Sequence, residues 1–187
     1  VPFLFYFLPV VLLIYFLVPR KLKNAVILLS SLFFYGWGEP KFLIFMLISI
    51  IQGYVFGLLV EKYNGMKRSK VFLVASVLLS LGILGYYKYA DFFIENFNAL
   101  TGASIPLLRI ALPIGISFYT FQIISYVIDV YRRNVPAQRN LMNLGAYIAM
   151  FPQLIAGPIV RYSDIANQLE NRTHTLENIA LGIRRFA

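Results

Sequence analysis

Residues 42–60 read FLIFMLISIIQGYVFGLLV and contain no charged side chain. As an α-helix, which rises about 1.5 Å per residue, this stretch is long enough to cross the roughly 30 Å hydrocarbon core of a bilayer. Charged residues, Lys41 and Glu61, stand directly at its two ends. The stretch therefore predicts a membrane-spanning helix.

Further apolar stretches of similar kind lie on both sides of it. They cover residues 1–18, 24–37, 71 to about 87, about 107 to 131 and, more weakly, 141 to about 155. The second is short, so we expect it to tilt or to insert only in part. The chain is therefore predicted to be all-α: a polytopic transmembrane helical bundle with broken or re-entrant and interfacial helices. Residues 1–187 show no internal repeat and form a single membrane domain; because the chain begins with Val1, we expect a piece of a longer protein.

The composition agrees with this class and excludes several others. Hydrophobic residues make up 59% of the chain and charged residues 13%, with a mean hydropathy of +0.72, whereas a soluble domain usually carries about 25% charged residues. The net charge of +9 comes from residues between the apolar stretches, so it indicates topology rather than a nucleic-acid partner. The chain lacks cysteine, which excludes disulfides and thiolate metal sites. Its single histidine, His174, excludes a multi-histidine metal site, and its polar surroundings argue against a catalytic role.

Basic residues are concentrated in every second connector. They fall in the connectors Arg20–Lys23, Glu61–Lys70 and Arg132–Arg139, and the intervening connectors hold fewer. Cytoplasmic loops carry the excess of Lys and Arg in membrane proteins. We therefore predict a multi-pass protein of the plasma (inner) membrane with these connectors in the cytoplasm and the N-terminus outside.

Two segments have the pattern of helices that lie on a membrane surface. In residues 91–100, Phe93, Phe97 and Leu100 fall at helical spacing with polar residues between them, which predicts a short amphipathic helix on the outer face. Residues 176–186 carry a second apolar stripe of this kind.

Glycines predict local backbone features in two of the spans. Gly53 and Gly57 are four residues apart on the third span, a spacing that lets helix backbones approach closely in lipid. Pro113 and Gly115 lie near the start of the fifth span, where they predict a kink or a broken start.

Polar residues on the fifth span allow two interpretations. Gln122, Ser125 and Asp129 share one helical face, and polar groups at membrane depth usually face a bundle interior or a wet cavity. This face therefore lines a substrate path or has only a local role. For Asp129 we favour the local role, an ion pair with Arg132 or Arg133 at helical spacing. For Gln122, which lies deeper, both interpretations stay open.

The stretch 151–162 reads FPQLIAGPIVRY and interrupts an apolar run with two prolines and a glycine. Pro152 withholds a backbone donor and Gly157-Pro158 is expected to end a helix. The freed backbone groups need protein or water partners, as in re-entrant segments that line cavities. Arg161 is placed to bind an anionic group such as a phosphate. The alternative is a plain interfacial loop with an arginine that reaches toward water.

This stretch resembles the signature of the membrane-bound O-acyltransferase (MBOAT) family, in its alginate O-acetylation branch. Three other stretches agree with the family and occur in its order: SLFFYGW at 31–37, LPIGISFYTFQ at 112–122 and GIRRF at 182–186. The resemblance covers nearly the whole chain and places it in the N-terminal portion of such an enzyme.

The resemblance implies an enzyme that moves an acyl group from a cytoplasmic donor across the membrane toward an exported polysaccharide such as alginate. The donor would be acetyl-CoA or another acyl thioester, used as substrate, with no tightly bound cofactor. Implied partners are membrane lipids, an acyl-acceptor protein outside the membrane and the polysaccharide; nucleic acid is not among them.

The family's catalytic histidine lies in a later membrane helix, and no residue here matches it, so no catalytic residue and no metal ligand are assigned. The residues expected to line the substrate path are Gln122, Pro152, Gln153, Gly157, Pro158 and Arg161.

Two other functions remain open on this evidence. One is a D-alanyl transfer protein for teichoic acids, which shares the Gly-Pro signature, although the wording AGPIVR at 156–161 favours the alginate branch. The other is a non-catalytic membrane subunit or transporter of a polysaccharide-export system.

Overall fold

The computed structural model describes residues 2–154, 160–170, 172, 175, 177, 180–182 and 184. Throughout these residues the regular structure is helical, and no strand occurs among them. The predicted all-α class is therefore confirmed. The helices are α1 (Leu8–Leu17), preceded by a π-helical turn at Phe3–Phe7, α2 (Lys23–Gly38), α3 (Leu43–Lys62), α4 (Lys67–Thr101), α5 (Ile116–Tyr131), α6 (Leu141–Ala149), α7 (Phe151–Leu154) and α8 (Tyr162–Glu170).

Two helices in the described part of the chain have the length and apolar composition needed to cross a membrane. They are α3, with the 3₁₀ turn that precedes it (Pro40–Lys62), and α4 (Lys67–Thr101). The first contains the span predicted over residues 42–60, and the second contains the span predicted over residues 71 to about 87. A shorter apolar helix covers Phe5–Leu17.

α4 differs from its prediction. The sequence predicted a span ending near Tyr87 and a separate surface helix over residues 91–100, but one helix continues without a break to Thr101. No proline occurs in this stretch, and the helix ends only where Gly102 takes a left-handed conformation with φ of 71°, which glycine adopts at little cost. The prediction of a separate surface helix over residues 91–100 is therefore wrong.

Polar side chains on the last turns of α4 bind the connector that follows. The Asp91 carboxylate accepts hydrogen bonds from the backbone N–H groups of Leu108 (2.7 Å) and Arg109 (3.0 Å). Asn98 donates to the carbonyl of Ile105 (2.8 Å) and accepts from its N–H (3.0 Å). The polar side chains that suggested a surface helix thus form hydrogen bonds with the connector between α4 and α5.

α5 begins later than predicted. The sequence placed its start near Leu107, whereas the helix starts at Ile116 directly after Gly115, whose φ is +76°. Pro113 precedes this turn and its carbonyl accepts from the N–H of Ile116 (3.3 Å). The broken start predicted from Pro113 and Gly115 is therefore confirmed, although the apolar residues before it belong to the connector.

α5 lies at the centre of the packed helices and contacts α3 and α4. Six of its side chains are fully buried: Ile116, Tyr119, Ile123, Tyr126, Val127 and Val130. α2 packs against α6. The close packing predicted from Gly53 and Gly57 is confirmed, since a Cβ atom at Gly57 would lie 2.7 Å from Tyr126 Oη and one at Gly53 would lie 3.1 Å from the Ile123 side chain.

We expect Gly57→Ala to destabilise the protein by about 1–3 kcal/mol, because an added methyl group in a tightly packed site forces neighbours to shift. Tyr126 is completely buried, so its ring has little room to yield. Gly82→Ala is the matched control on α4, since a Cβ atom there meets no other atom within 4 Å. Thermal unfolding in detergent would measure both variants. Equal melting temperatures for Gly57→Ala and the parent would contradict the packing assignment.

Candidate functional site

The predicted span over residues 141–155 is broken. α6 ends at Ala149, and Met150 takes an extended conformation with ψ of 111° before α7 begins. This break lies earlier than Gly157-Pro158, where the helix was expected to end. Pro152 is the second residue of α7, a position in the first helical turn where a missing N–H costs nothing. The helix therefore breaks before Pro152 and not at it.

The chain returns after α7 to the end from which α6 started. Gln138, just before α6, donates through Nε2 to Tyr162 Oη (2.8 Å), and Tyr147 Oη donates to the carbonyl of Val160 (2.8 Å). The Tyr162 ring also stacks edge-on against Tyr126, with centroids 5.0 Å apart. Residues 138–154 and 160–162 thus form a hairpin whose two outer ends are joined; residues 155–159 lie outside the described part of the chain.

The tip of this hairpin is buried against three other elements. The Phe151 N–H donates to Ser31 Oγ on α2 (3.2 Å), and its ring packs against Phe7, with centroids 5.3 Å apart. A Cβ atom at Gly115 would lie 2.8 Å from the carbonyl oxygen of Leu154. The tip therefore reaches the start of α5, far from the paired ends of the hairpin.

The predicted path residues are spread over this hairpin and α5. Gln153 is buried at the tip, where its Nε2 donates to the carbonyl of Tyr147 (2.9 Å). This bond satisfies a carbonyl that the break in α6 leaves free. Pro152 and Arg161 are exposed, and Arg161 lies beside the paired ends of the hairpin. Gly157 and Pro158 lie outside the described residues, as does His174.

In the described part of the chain, six buried side-chain atoms have no hydrogen-bond partner, and Gln122 carries one of them; the group also includes Asn24 Oδ1, Ser76 Oγ and Asp129 Oδ2. The Gln122 Oε1 is unpaired and the side chain is 2% exposed. The hydroxyls of Tyr119 (0% exposed) and Tyr35 (4% exposed) are unpaired in this part as well, and both residues belong to the same buried core cluster. Buried polar groups in proteins are nearly always paired, so the unpaired atoms of Tyr119 and Gln122, which lie three residues apart on α5, indicate a place for a polar ligand or water.

Sequence reasoning missed Tyr35 and Tyr119. Tyr119 lies three residues before Gln122 and so extends its helical face, which is the signal that would have found it. Tyr35 comes from a different helix, α2, and no spacing in the sequence relates it to α5.

Asp129 does not form the predicted ion pair. Arg133 adopts a positive φ of 63° and its Nε donates to Asn64 Oδ1 (2.9 Å) instead. Asp129 Oδ1 accepts from Asn134 Nδ2 (3.0 Å), and its Oδ2 is buried without a partner. The prediction of a pair with Arg132 or Arg133 is therefore wrong, because the helix ends in a left-handed turn at Arg133 and the side chain of this residue bonds Asn64 in the connector between α3 and α4.

Comparison with known proteins identifies relatives over almost the whole chain. It is 43% identical over 189 residues to "Probable alginate O-acetylase AlgI" of Pseudomonas syringae pv. tomato and 41% identical over 189 residues to the protein of that name in Pseudomonas aeruginosa. Each match covers 98% of this chain and 36% of the relative. This chain is a homologue of the alginate O-acetylases of the membrane-bound O-acyltransferase family. The resemblance inferred from residues 151–162 is thereby confirmed.

A more distant relative has a different name. "Peptidoglycan O-acetyltransferase" of Helicobacter pylori is 30% identical over 217 residues, which cover 99% of this chain and 41% of that protein. No family model matches the chain and no solved structure matches it. The chain spans a little over a third of the length of the alginate O-acetylases that it matches.

We expect Tyr147→Phe to loosen the hairpin at its paired ends, because the Val160 carbonyl loses its donor. A single hydrogen bond of this kind contributes about 1 kcal/mol, so the opened population rises about fivefold. Trypsin cleavage after the exposed Arg161, followed by mass spectrometry on the folded protein, would report this opening, since such cleavage tracks the open population.

Tyr86→Phe, at an exposed position on α4, is the matched control for the loss of a phenol hydroxyl. Equal cleavage rates after Arg161 in the two variants would show that Tyr147 does not hold the hairpin closed.

Proposed function

We propose that the whole protein is a membrane-bound O-acyltransferase that acetylates an exported polysaccharide such as alginate. The observation that carries the proposal is the match of nearly the whole chain to proteins named as O-acetylases of two different polysaccharides. Those names favour an acetyl group over a D-alanyl group. They also favour an enzyme over a non-catalytic export subunit.

The substrate path is proposed to run past the unpaired group formed by Gln122, Tyr119 and Tyr35. A cavity that holds the reacting groups apart from water suppresses hydrolysis of the thioester. The unpaired Gln122 Oε1 and the two phenol hydroxyls are suited to bind a hydroxyl, an amide or an ordered water in such a cavity. No residue of this chain is assigned to the chemical step.

The proposed topology is multi-pass in the inner membrane, with the N-terminus outside and the basic connectors in the cytoplasm. Contacts among those connectors support it, because they lie at one end of the helices. Arg133 bonds Asn64, and Arg139 pairs with Glu61 at 3.4 Å. Arg161 lies at this same end beside the paired ends of the hairpin. It would bind a phosphate of the donor, acetyl-CoA or another acyl thioester, as it arrives from the cytoplasm.

On the opposite side the acetyl group would pass to an acceptor protein and then to the polysaccharide. In this topology the tip of the hairpin lies toward that side, near Gly115 and the unpaired group. The hairpin would therefore connect the cytoplasmic donor site with the interior of the path.

Gln122→Leu in the whole protein is expected to lower polysaccharide acetylation by about tenfold or more, the scale of one lost buried hydrogen bond to substrate. Its melting temperature should not fall, because leucine removes an unpaired polar atom. Cells that lack the protein would be complemented with each variant. Alkali-released acetate per sugar and the total exported polysaccharide would then be measured.

The matched control is Gln52→Leu. Gln52 is buried like Gln122, but its Nε2 donates to Ser80 Oγ (2.7 Å) and to the Ser76 carbonyl (3.1 Å). Its loss should lower stability while acetylation per folded molecule is kept. Unchanged acetylation in Gln122→Leu would remove Gln122 from the path. Loss of exported polysaccharide, rather than of acetate, in cells without the protein would favour an export subunit.

Met66→Cys, placed in an otherwise cysteine-free whole protein, tests the topology. Met66 is exposed between α3 and α4. An impermeant thiol reagent would therefore label a cysteine at this position only when the reagent reaches that side of the membrane. We expect no labelling in intact cells and full labelling after permeabilisation. Labelling of intact cells would invert the proposed orientation.

A further inference from the structure

An apolar groove runs between α1 and α2. It has a volume of about 910 Å³ and is open along one side. Its wall is made by residues that include Phe3, Val10, Ile14, Val26, Leu29 and Phe33. The groove extends from the start of α1 to Ile14 and Val26, which lie within one helical turn of Tyr15 and Lys23. It therefore ends beside the basic connector that follows α1.

Two cations converge on Tyr15 at this end of the groove. Lys23 Nζ lies 4.6 Å from the centroid of the Tyr15 ring. Arg172 Nη1 donates to Tyr15 Oη (3.0 Å), and its guanidinium carbon lies 5.8 Å from the same centroid. Both charged groups thus lie within 6 Å of one ring centroid.

The charge on Lys23 has no carboxylate beside it among the described residues. Its side chain is only 8% exposed. The ion pair in the described part of the chain joins Arg139 and Glu61 and does not involve Lys23. Lys23 is also the first residue of α2, where the helix dipole disfavours a cation and favours an anion. A nearly buried charge is costly unless it is paired, so this place is suited to an anionic group.

We propose that the groove and the two cations form a binding site for one anionic phospholipid of the bilayer. An acyl chain would lie in the apolar groove, and the phosphate would lie between Lys23 and Arg172. The phosphate supplies the missing anion, and the basic end of the helices is where the anionic leaflet of the membrane lies in the proposed topology. A zwitterionic lipid fits less well, because its own cation would meet two fixed cations.

This inference rests on the membrane placement proposed above and not on acyl transfer. The purified whole protein would be titrated with dioleoyl phosphatidylglycerol and, separately, with dioleoyl phosphatidylcholine, which has the same acyl chains. Native mass spectrometry would count the bound lipids. We expect one tightly held phosphatidylglycerol and weaker binding of phosphatidylcholine.

Variants separate the two parts of the site. Lys23→Gln and Arg172→Gln should each weaken phosphatidylglycerol binding about fivefold and leave phosphatidylcholine binding unchanged. Val10→Trp fills the groove from an exposed position and should remove binding of both lipids there, which keeps the test decisive if Lys23→Gln fails to fold. Lys70→Gln, an exposed cation on α4, is the matched control and should bind as the parent does.

Three results would overturn the proposal. The first is equal affinity for the two lipids, and the second is unaltered binding in Val10→Trp and in the charge variants. The third is the absence of any retained lipid, which would mean that another part of the whole protein covers the groove. Because lipid binding is measured without turnover, a failure of the proposed acetylation would leave these results standing.

Discussion

The phenol of Tyr126 on α5 joins α3 to both ends of the hairpin. Its ring lies against the backbone of α3 at Gly57, its hydroxyl accepts a hydrogen bond from the Gln138 N–H (2.9 Å), and its ring contacts Tyr162. One side chain on α5 therefore fixes the distance to α3 and the position of both ends of the hairpin. The absence of a Cβ atom at residue 57 is what allows this arrangement, since any larger residue would separate α3 from α5.

Polar groups in the apolar interior divide into two sets. Between α3 and α4, Gln52 reaches Ser80, and Ser69 bonds the Val60 carbonyl (3.0 Å), so these side chains have the partners that an environment without water demands. Ser76 Oγ on α4 is the exception there among the described residues. Around the start of α5, the Gln122 amide oxygen and the Tyr119 hydroxyl have no such partner. The first set has the properties of structural packing. The second set has the properties of a surface that binds a ligand, which is why the proposed substrate path follows it.

The helices predicted best were those whose limits depend on composition alone. α3 lies within two residues of its predicted bounds, because a continuous apolar run ended by charge leaves few alternatives. α4 was predicted to end too early, since side chains such as Asp91 suggest water when they in fact bind the next connector. The break at Met150 was predicted too late in the chain, because Pro152 was taken as the breaker, whereas it lies in the first turn of the next helix. The contacts of Phe151 with Ser31 and Phe7, which hold this turn, could not be predicted from local sequence.

The candidate site was predictable in part for a similar reason. The face of α5 that holds Gln122 follows from helical periodicity, and residues 151–162 were recognised by their resemblance to a family. Tyr35 was not predicted, because its relation to Tyr119 exists only after α2 and α5 have packed. Asp129 was misjudged because ideal helical spacing was extended through Arg133, where the backbone leaves the helix.

The joined ends of the hairpin have a consequence for how the protein is made. In the proposed topology Arg139 and Arg161 stay on the cytoplasmic side, so no charged residue of this segment has to be carried across the bilayer during synthesis. α6 is also too short, at about 1.5 Å per residue, to be held by lipid as a span of its own. Its burial depends on surfaces of α2 and α5 that must already be in place. We therefore expect the hairpin to insert after its neighbours have assembled, as a late step in maturation rather than as one of the sequential crossings.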